Sequence, residues 1–573
     1  MKKIINIFYA ALFACILASC NDFLDNHVPQ GSLMEGEVKE PSNAEAMVIS
    51  SYAIFTTAED INSSFSMWNF DVRSDDAYKG GIGTNDGDVF HQLETQQGVL
   101  TTNWNINDMW VRLYNCISRV NATIALLSSL DDSFDMKQRR LAEMKFLRGY
   151  AHFLLKRLYK NIPFVIDADL EAEAYTLLSN TQYTNDQGWQ LIIDDVTEAF
   201  NTLPETQSEK GRPTKAAAAA FLTKLYLYKA YHQDDATSHQ VTEINADDLN
   251  RVIEFSDPKY YTNYGLEEDI HNNFRPEDRY ENGKESIWAI QYSRNDGSTY
   301  GNLNWSYGLI PPNIPKATDG GCDFYKPSQN LVNAYRTDAS GLPLLDTYND
   351  KNYNKSTDNA DPRLFLTVGM PGYPYMFNKN FMMDESTTWS RSNGAYGYYV
   401  SLKHNVDPAL LNDYLIKGSY WASPMNRIVF RYADVLLERA EAYAQLDNPV
   451  AAIRLVNELR TRAASSTQMI ADYPVSYGVS FKVANYTGSY TKDEAVKIVK
   501  MERRLELGME SERFFDLVRY GEAATVLNKY FASEKKDFLK GAHFTADKDE
   551  YLPIPYEQIS AANGHYTQNI GNW

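Results

Sequence analysis

Cysteine is scarce in this 573-residue chain: there are four, at positions 15, 20, 116 and 322. So few, so widely spaced, make no disulfide framework. Basic charge is in deficit, with 55 Lys and Arg against 75 Asp and Glu and a net charge of −20. Such a surface argues against nucleic acid or anionic lipid as a partner. Beyond residue 18 there is no apolar run long enough for a helix to cross a bilayer. Enzyme signatures are missing too. The chain has no HExxH, GxSxG, P-loop or GxGxxG, and its nine histidines show no metal-ligand spacing. The stretch "GTNDGDVFHQLE" (83–94) carries Asp86, Asp88 and Glu94 but lacks the DxDxDG spacing of a calcium loop. No cofactor and no metal are expected.

What is present begins with the leader. Lys2 and Lys3 precede an apolar run from Ile4 to Ala18, which has the length of a signal-peptide core. It stops at "LASC", residues 17–20, and turns at once to Asn21-Asp22. An ordinary export site gives no reason for that cysteine. Leu17-Ala18-Ser19-Cys20 resembles the bacterial lipobox, in which the thiol is acylated and cleavage leaves Cys20 first. The expectation is a signal peptide over 1–19, lipid on Cys20 and a body anchored to the membrane without spanning it. Loss of Lys2 and Lys3 takes the charge to −22. Of the two cysteines left, Cys116 reads as core, Cys322 in "DGGCDFY" as exposed, and both as free thiols.

Helical periodicity dominates the first half. It marks helices over 107–130, 138–159, 188–204, 214–232 and 246–257. In the first, Met109, Leu113, Cys116, Val120, Ile124 and Leu127 form one stripe. The run "AAAAA" (216–220) lets a neighbouring backbone come close. The style returns at 431–463, a helical hairpin with a turn at Asp447-Asn448-Pro449, and at 491–521. From about 290 to 425 the chain is rich in Gly, Pro, Asn and Tyr and loses helical period. Loops of that kind on a rigid scaffold are where binding residues usually sit.

Several blocks together resemble the SusD/RagB family of Bacteroidetes outer-membrane lipoproteins. They are "SCNDFLD", "FLRGYAHFLLKRLYKNIPFV", "GRPTKAAAAAFLTKLYLY", "DPRLFLTV", "RYADVLLERAEAYAQ", "ERRLELGMESERFFDLVRYG" and "YLPIPYEQISAANGHYTQN", in the family order over nearly the whole chain. The resemblance implies a mostly α fold, with four tetratricopeptide-like helix pairs and a loop-rich α+β ligand-binding insertion. It implies one SusD-like domain over 20–573, with scaffold at about 40–290 and 425–573 and the loop-rich region between. It also implies a role: a surface-exposed lipoprotein of the outer membrane captures oligo- or polysaccharide for a SusC-like TonB-dependent transporter. Two other readings stay open, a surface-anchored glycoside hydrolase, since two carboxylates need only spatial proximity, and a helical-repeat scaffold that binds protein. Arg503, Arg504, Glu506, Glu512 and Arg513 read as buried ion pairs that fix helix packing rather than as catalytic acids.

Glycan capture needs aromatic faces for sugar C–H surface and planar polar groups for paired hydroxyls. "AEDINSSFSMWNFD" offers Asp60 and Asn62, "TNDGDVF" offers Asp86, and "LTTNWNIND" offers Trp104 among polar neighbours, ahead of the helix. These residues resemble the pattern of the fructan-binding members of the family, which continues with a Cys, an Arg and a Tyr downstream. Cys322, Arg391 and Tyr420 fit those places, with Tyr414 competing for the last. The resemblance implies a levan-type fructan site built from Asp60, Asn62, Asp86, Trp104, Cys322, Arg391 and Tyr420.

Overall fold

The computed structural model describes residues 41–56, 71–131, 134–166, 177–294, 296, 303–304, 309–313, 321–387, 389–414, 416–417 and 421–573. Cys20, Asp60, Asn62 and Tyr420 therefore lie outside the described residues, as does the leader.

Twelve helices of seven residues or more carry the described fold: α1 (Pro41–Ala53), α2 (Asp88–Thr95), α3 (Trp104–Ser129), α4 (Lys137–Tyr159), α5 (Asn185–Thr202), α6 (Lys215–Ala230), α7 (Ala246–Phe255), α8 (Tyr432–Gln445), α9 (Pro449–Ser465), α10 (Lys492–Leu507), α11 (Arg513–Arg519) and α12 (Ala523–Glu534). Their starts are written in the sequence. Thr184 accepts from the Gln187 N–H while the Gln187 side chain returns to Thr184, a capping box that starts α5 three residues ahead of the apolar pattern. Thr491 and Glu494 do the same for α10. Thr214 and Asn245 cap α6 and α7. Asn448 caps α9 and Pro449 occupies its first turn, which makes the turn expected at 447–449.

The helices pack in succession: α3 on α4, α4 on α5, α5 on α6, α6 on α7, α7 on α8, and α9 and α10 both on α8. Residues 256–431 intervene between α7 and α8, yet the two helices touch. No helix among the described residues is long and apolar enough to cross a membrane. Ala216 to Ala220 are all buried, so α6 accepts close neighbours on several sides at once. Strands β1 (Ala77–Gly80) and β3 (Phe324–Pro327) pair antiparallel, as do β2 (Ser286–Ile290) and β4 (Arg427–Arg431). The β2–β4 ribbon delivers Trp288 and Phe430 onto Phe146 and Phe221 of the helical core, with Phe146 and Trp288 meeting edge to face at 4.9 Å. A second core beneath the loop-rich part joins Tyr325, Tyr335 and Phe365 to Met501 and Leu505 of α10. Helix α10 thus ties scaffold to insertion.

The segment expected as continuous helix over 491–521 is broken after Leu507. The Tyr335 hydroxyl comes to 2.8 Å from where a Cβ on Gly508 would stand, and Met509 and Ser511 take left-handed backbone. The break aims the following charges in different directions. Glu506 receives Arg363 (2.9 Å), Arg431 (2.8 Å) and Arg462. Arg503 holds Asp434 (2.9 Å) and Asp516 (3.1 Å). Arg504 holds Asp75 and Asp76, Arg513 holds Asp75, and Glu512 receives Arg157 and Lys224. Every residue of the set expected to form ion pairs does so. Burial raises the cost of ionising Glu506, but its three arginines outweigh that and hold its carboxyl well below the usual range.

Candidate functional site

The site region is built on the β1–β3 ribbon. Gly80 and Gly81 both take positive φ (82° and 81°), and a Cβ on Gly80 would stand 2.4 Å from the Asp323 carbonyl oxygen. Glycine here lets the 81–87 loop fold back directly over residues 323–324, where the Gly81 N–H donates to that carbonyl at 2.9 Å. The loop is wound around a buried cation. The Lys79 ammonium donates to the carbonyls of Gly80 (3.0 Å), Gly83 (2.9 Å) and Asp86 (2.6 Å). It also faces the rings of Phe324 and Tyr396 at 5.3 and 5.2 Å. Burial lowers its pKa to about 8, while Glu94, Asp86 and Asp88 act to raise it. The Asp86 carboxylate accepts from the Ile82 N–H at 2.9 Å and so closes the loop.

Helix α2 follows this loop. Its Glu94 accepts from the Lys79 N–H (2.7 Å) and from the Tyr396 hydroxyl (3.3 Å). Asn103 caps α3, accepting from the Asn105 N–H and donating to Val89 O and Gln92 Oε1. That cap fixes Trp104, which is the first residue of α3 rather than a loop residue ahead of it. Its side is half open to solvent, at 51% exposure, and its ring stands edge to face with Phe90 at 6.0 Å. An indole fixed at one edge and open on the rest can cover an apolar sugar edge.

Cys322 enters β3 from the other side. It is half-buried against the second core, not exposed as expected, and the Arg391 guanidinium lies beside its thiol. Burial raises the thiol pKa; Arg391 opposes that rise and the nearby Asp86 carboxylate adds to it. Arg391 is itself exposed, and its place is set by its backbone: its N–H donates to Asp323 Oδ2 at 2.9 Å, beside Ser390 Oγ on the same oxygen. Asp323 is in turn paired with Lys326. Cys116 is fully buried in α3, and neither cysteine is in a disulfide.

Of the seven residues expected at the site, Asp86, Cys322 and Arg391 converge, and Trp104 stands one ring away on Phe90, which packs against Gly87 of the same loop. Tyr414 packs against Val406, Leu411 and Met425, with the Arg294 guanidinium over its ring at 4.4 Å. Residues that hold the site were not foreseen: Lys79, Glu94, Asp323 and Tyr396. The pair Lys79-Gly80 followed by Gly81 was a usable sign, since a lysine entering a double-glycine turn has carbonyls within reach. Tyr396 gave no signal, because its partner Glu94 is distant in sequence, and the local Asp323–Lys326 pair gave no hint of the link to Ser390 and Arg391. Chemically, the arrangement presents one carboxylate, one planar fork of donors, a thiol and an indole on an accessible face. That suits hydroxyl-rich ligands.

A family model described as the SusD family matches residues 284–573, and a second, described as "Starch-binding associating with outer membrane", matches residues 22–227. The chain belongs to the SusD family. SusD-like protein P2 of Formosa agariphila is 24% identical, with all of both chains covered. Among solved structures, a SusD superfamily protein from Bacteroides vulgatus aligns with a TM-score of 0.67 at 22% identity, over 93% of this chain and 99% of that one. A laminarin-binding SusD-like protein aligns at 0.65 and 20% identity, over 92% and 99%.

Proposed function

We propose that this protein is a non-catalytic, surface-exposed glycan-binding lipoprotein. Residues 20–573 act as one ligand-binding unit held to the outer membrane by lipid on Cys20. The unit captures oligo- or polysaccharide and passes it to a SusC-like TonB-dependent transporter. Membership of the SusD family supports the role, as does laminarin binding by the structurally similar protein. The outer-membrane description of the second family model supports the location. The preferred ligand is a fructan such as levan. The observation that carries this reading is that Asp86 and Arg391 both act on the Cys322 thiol, while the half-exposed Trp104 is tied through Phe90 to the loop that carries Asp86. Asp60, Asn62 and Tyr420 complete the same site.

The contacts on offer are mostly hydrogen bonds that exchange water for sugar, about 0.5–1.5 kcal/mol each when neutral. Affinity should be weak for one sugar and grow with chain length. Calorimetry with levan, inulin, starch and mannan tests the ligand. Binding to levan or inulin is expected, and binding to starch or mannan alone ends the fructan assignment. Trp104→Ala should cost about 2 kcal/mol as an anchor, roughly thirtyfold in affinity. Unchanged affinity in a folded Trp104→Ala protein removes this site.

A further inference from the structure

A second cleft is lined in part by residues 393–399, which follow Arg391 in the chain. Its volume is about 380 Å³, within the range of small-ligand sites. Tyr353, Tyr373, Tyr396 and Tyr399 line it, with the side-chain amides of Gln329 and Asn393. Three features set it apart. Its walls are rigid: the Tyr373 ring stacks on Tyr473 at 5.6 Å and 24°, and packs on Phe365 at 5.1 Å. Its polar groups are partly unspent: the hydroxyls of Tyr353 and Tyr373 are buried without a hydrogen-bond partner among the described residues. Tyr373 is 6% exposed. Buried hydroxyls left unpaired are costly and rare, so their place in a cleft wall points to a ligand that supplies the partners. Third, the cleft shares a wall with the candidate site. Tyr396 lines it while its ring faces Lys79, the cation at the centre of the Asp86 loop.

Aromatic faces, amides and unpaired phenols together suit a ligand that is apolar on one face and rich in hydroxyls at its rim, which describes a sugar ring. Flanking charge is light and mixed, with Lys355 and Lys536 against Glu385. Both ammonium groups lie over tyrosine rings, Lys355 over Tyr373 and Lys536 over Tyr78.

We propose that this tyrosine-lined cleft is a second saccharide subsite, which takes one or two further sugar units of a chain whose other units occupy the Asp86–Trp104 face. It rests on the glycan-binding reading above. The test is calorimetry of the intact folded chain with short (two-unit) and long (six units or more) oligosaccharides of levan, inulin, laminarin and xyloglucan. The variants are Tyr353→Phe/Tyr373→Phe, which keeps both rings, and Asn393→Ala. The expected result is at least tenfold weaker binding of the long ligand in the double variant, with the short ligand bound as by wild type. Unchanged long-ligand affinity in both variants overturns the proposal. So does an equal loss at both lengths, which would report a disturbed fold, and so does a wild-type protein that binds none of the four. Trp104→Ala separates the two sites: it should weaken both lengths, where the double variant weakens the long ligand alone, and a Trp104→Ala protein that binds both lengths as wild type does overturns the proposal together with the Asp86–Trp104 site.

Discussion

At the scale of single residues, the region beneath the candidate site is a set of buried charges whose ionisation is set by burial against partners. Asp71 shows the unfavourable side. It is 1% exposed, and its Oδ2 accepts from the Ser511 N–H (2.9 Å) and from the Tyr325 hydroxyl. Burial, and then the Asp76 carboxylate, push its pKa up to about 7 in spite of those bonds. The unfolded value is about 4, so between roughly pH 4 and 7 the folded state holds a proton that the unfolded state has released. Stability from this group is therefore lost as pH rises through that window and is constant above it. Asp71→Asn keeps an acceptor and removes the titration. The melting temperature of wild type relative to Asp71→Asn should fall between pH 4 and 7 and then level off. A pH-independent offset would contradict the assignment.

At the scale of elements, the paired helices are held as much by the charges of α10 as by apolar stripes. Glu506 is fully buried among Arg363, Arg431 and Arg462, which come from the loop-rich part, β4 and α9. Removing one member of such a cluster strands the others in low dielectric, at a cost of about 3–5 kcal/mol. Glu506→Ala should lose that much in urea unfolding, while the protein that remains folded binds saccharide as before. Loss of binding with full stability would instead make Glu506 part of a working site. The helices were legible because 3.6-residue periodicity, Pro stops and Thr or Asn caps are local signals. The stop at Gly508 carried its own local sign, a glycine after the periodic run, but the Tyr335 hydroxyl that leaves no room for a side chain there comes from a distant segment. The candidate site divides in the same way. Trp104 stood out as an indole among polar neighbours, whereas Asp323 and Tyr396 are defined by contacts that no local pattern encodes. The exposure expected for Cys322 missed its packing against the second core for the same reason.

At the scale of the whole molecule, an array of helix pairs supports a loop-rich part, and the acidic composition suits the lipid-anchored body proposed above. The carboxylates of the α10 region are committed to arginines and lysines, and the role proposed for Asp86 is that of a hydroxyl acceptor in a site that captures sugar without cleaving it. The most direct test of that claim is to incubate the purified protein with each glycan it binds, recover the complex, and measure bound saccharide and new reducing ends in the same sample. The account expects saturable binding and saccharide recovered at its original length. New reducing ends that vanish on substitution of a single carboxylate, or the absence of binding to any glycan, would contradict it.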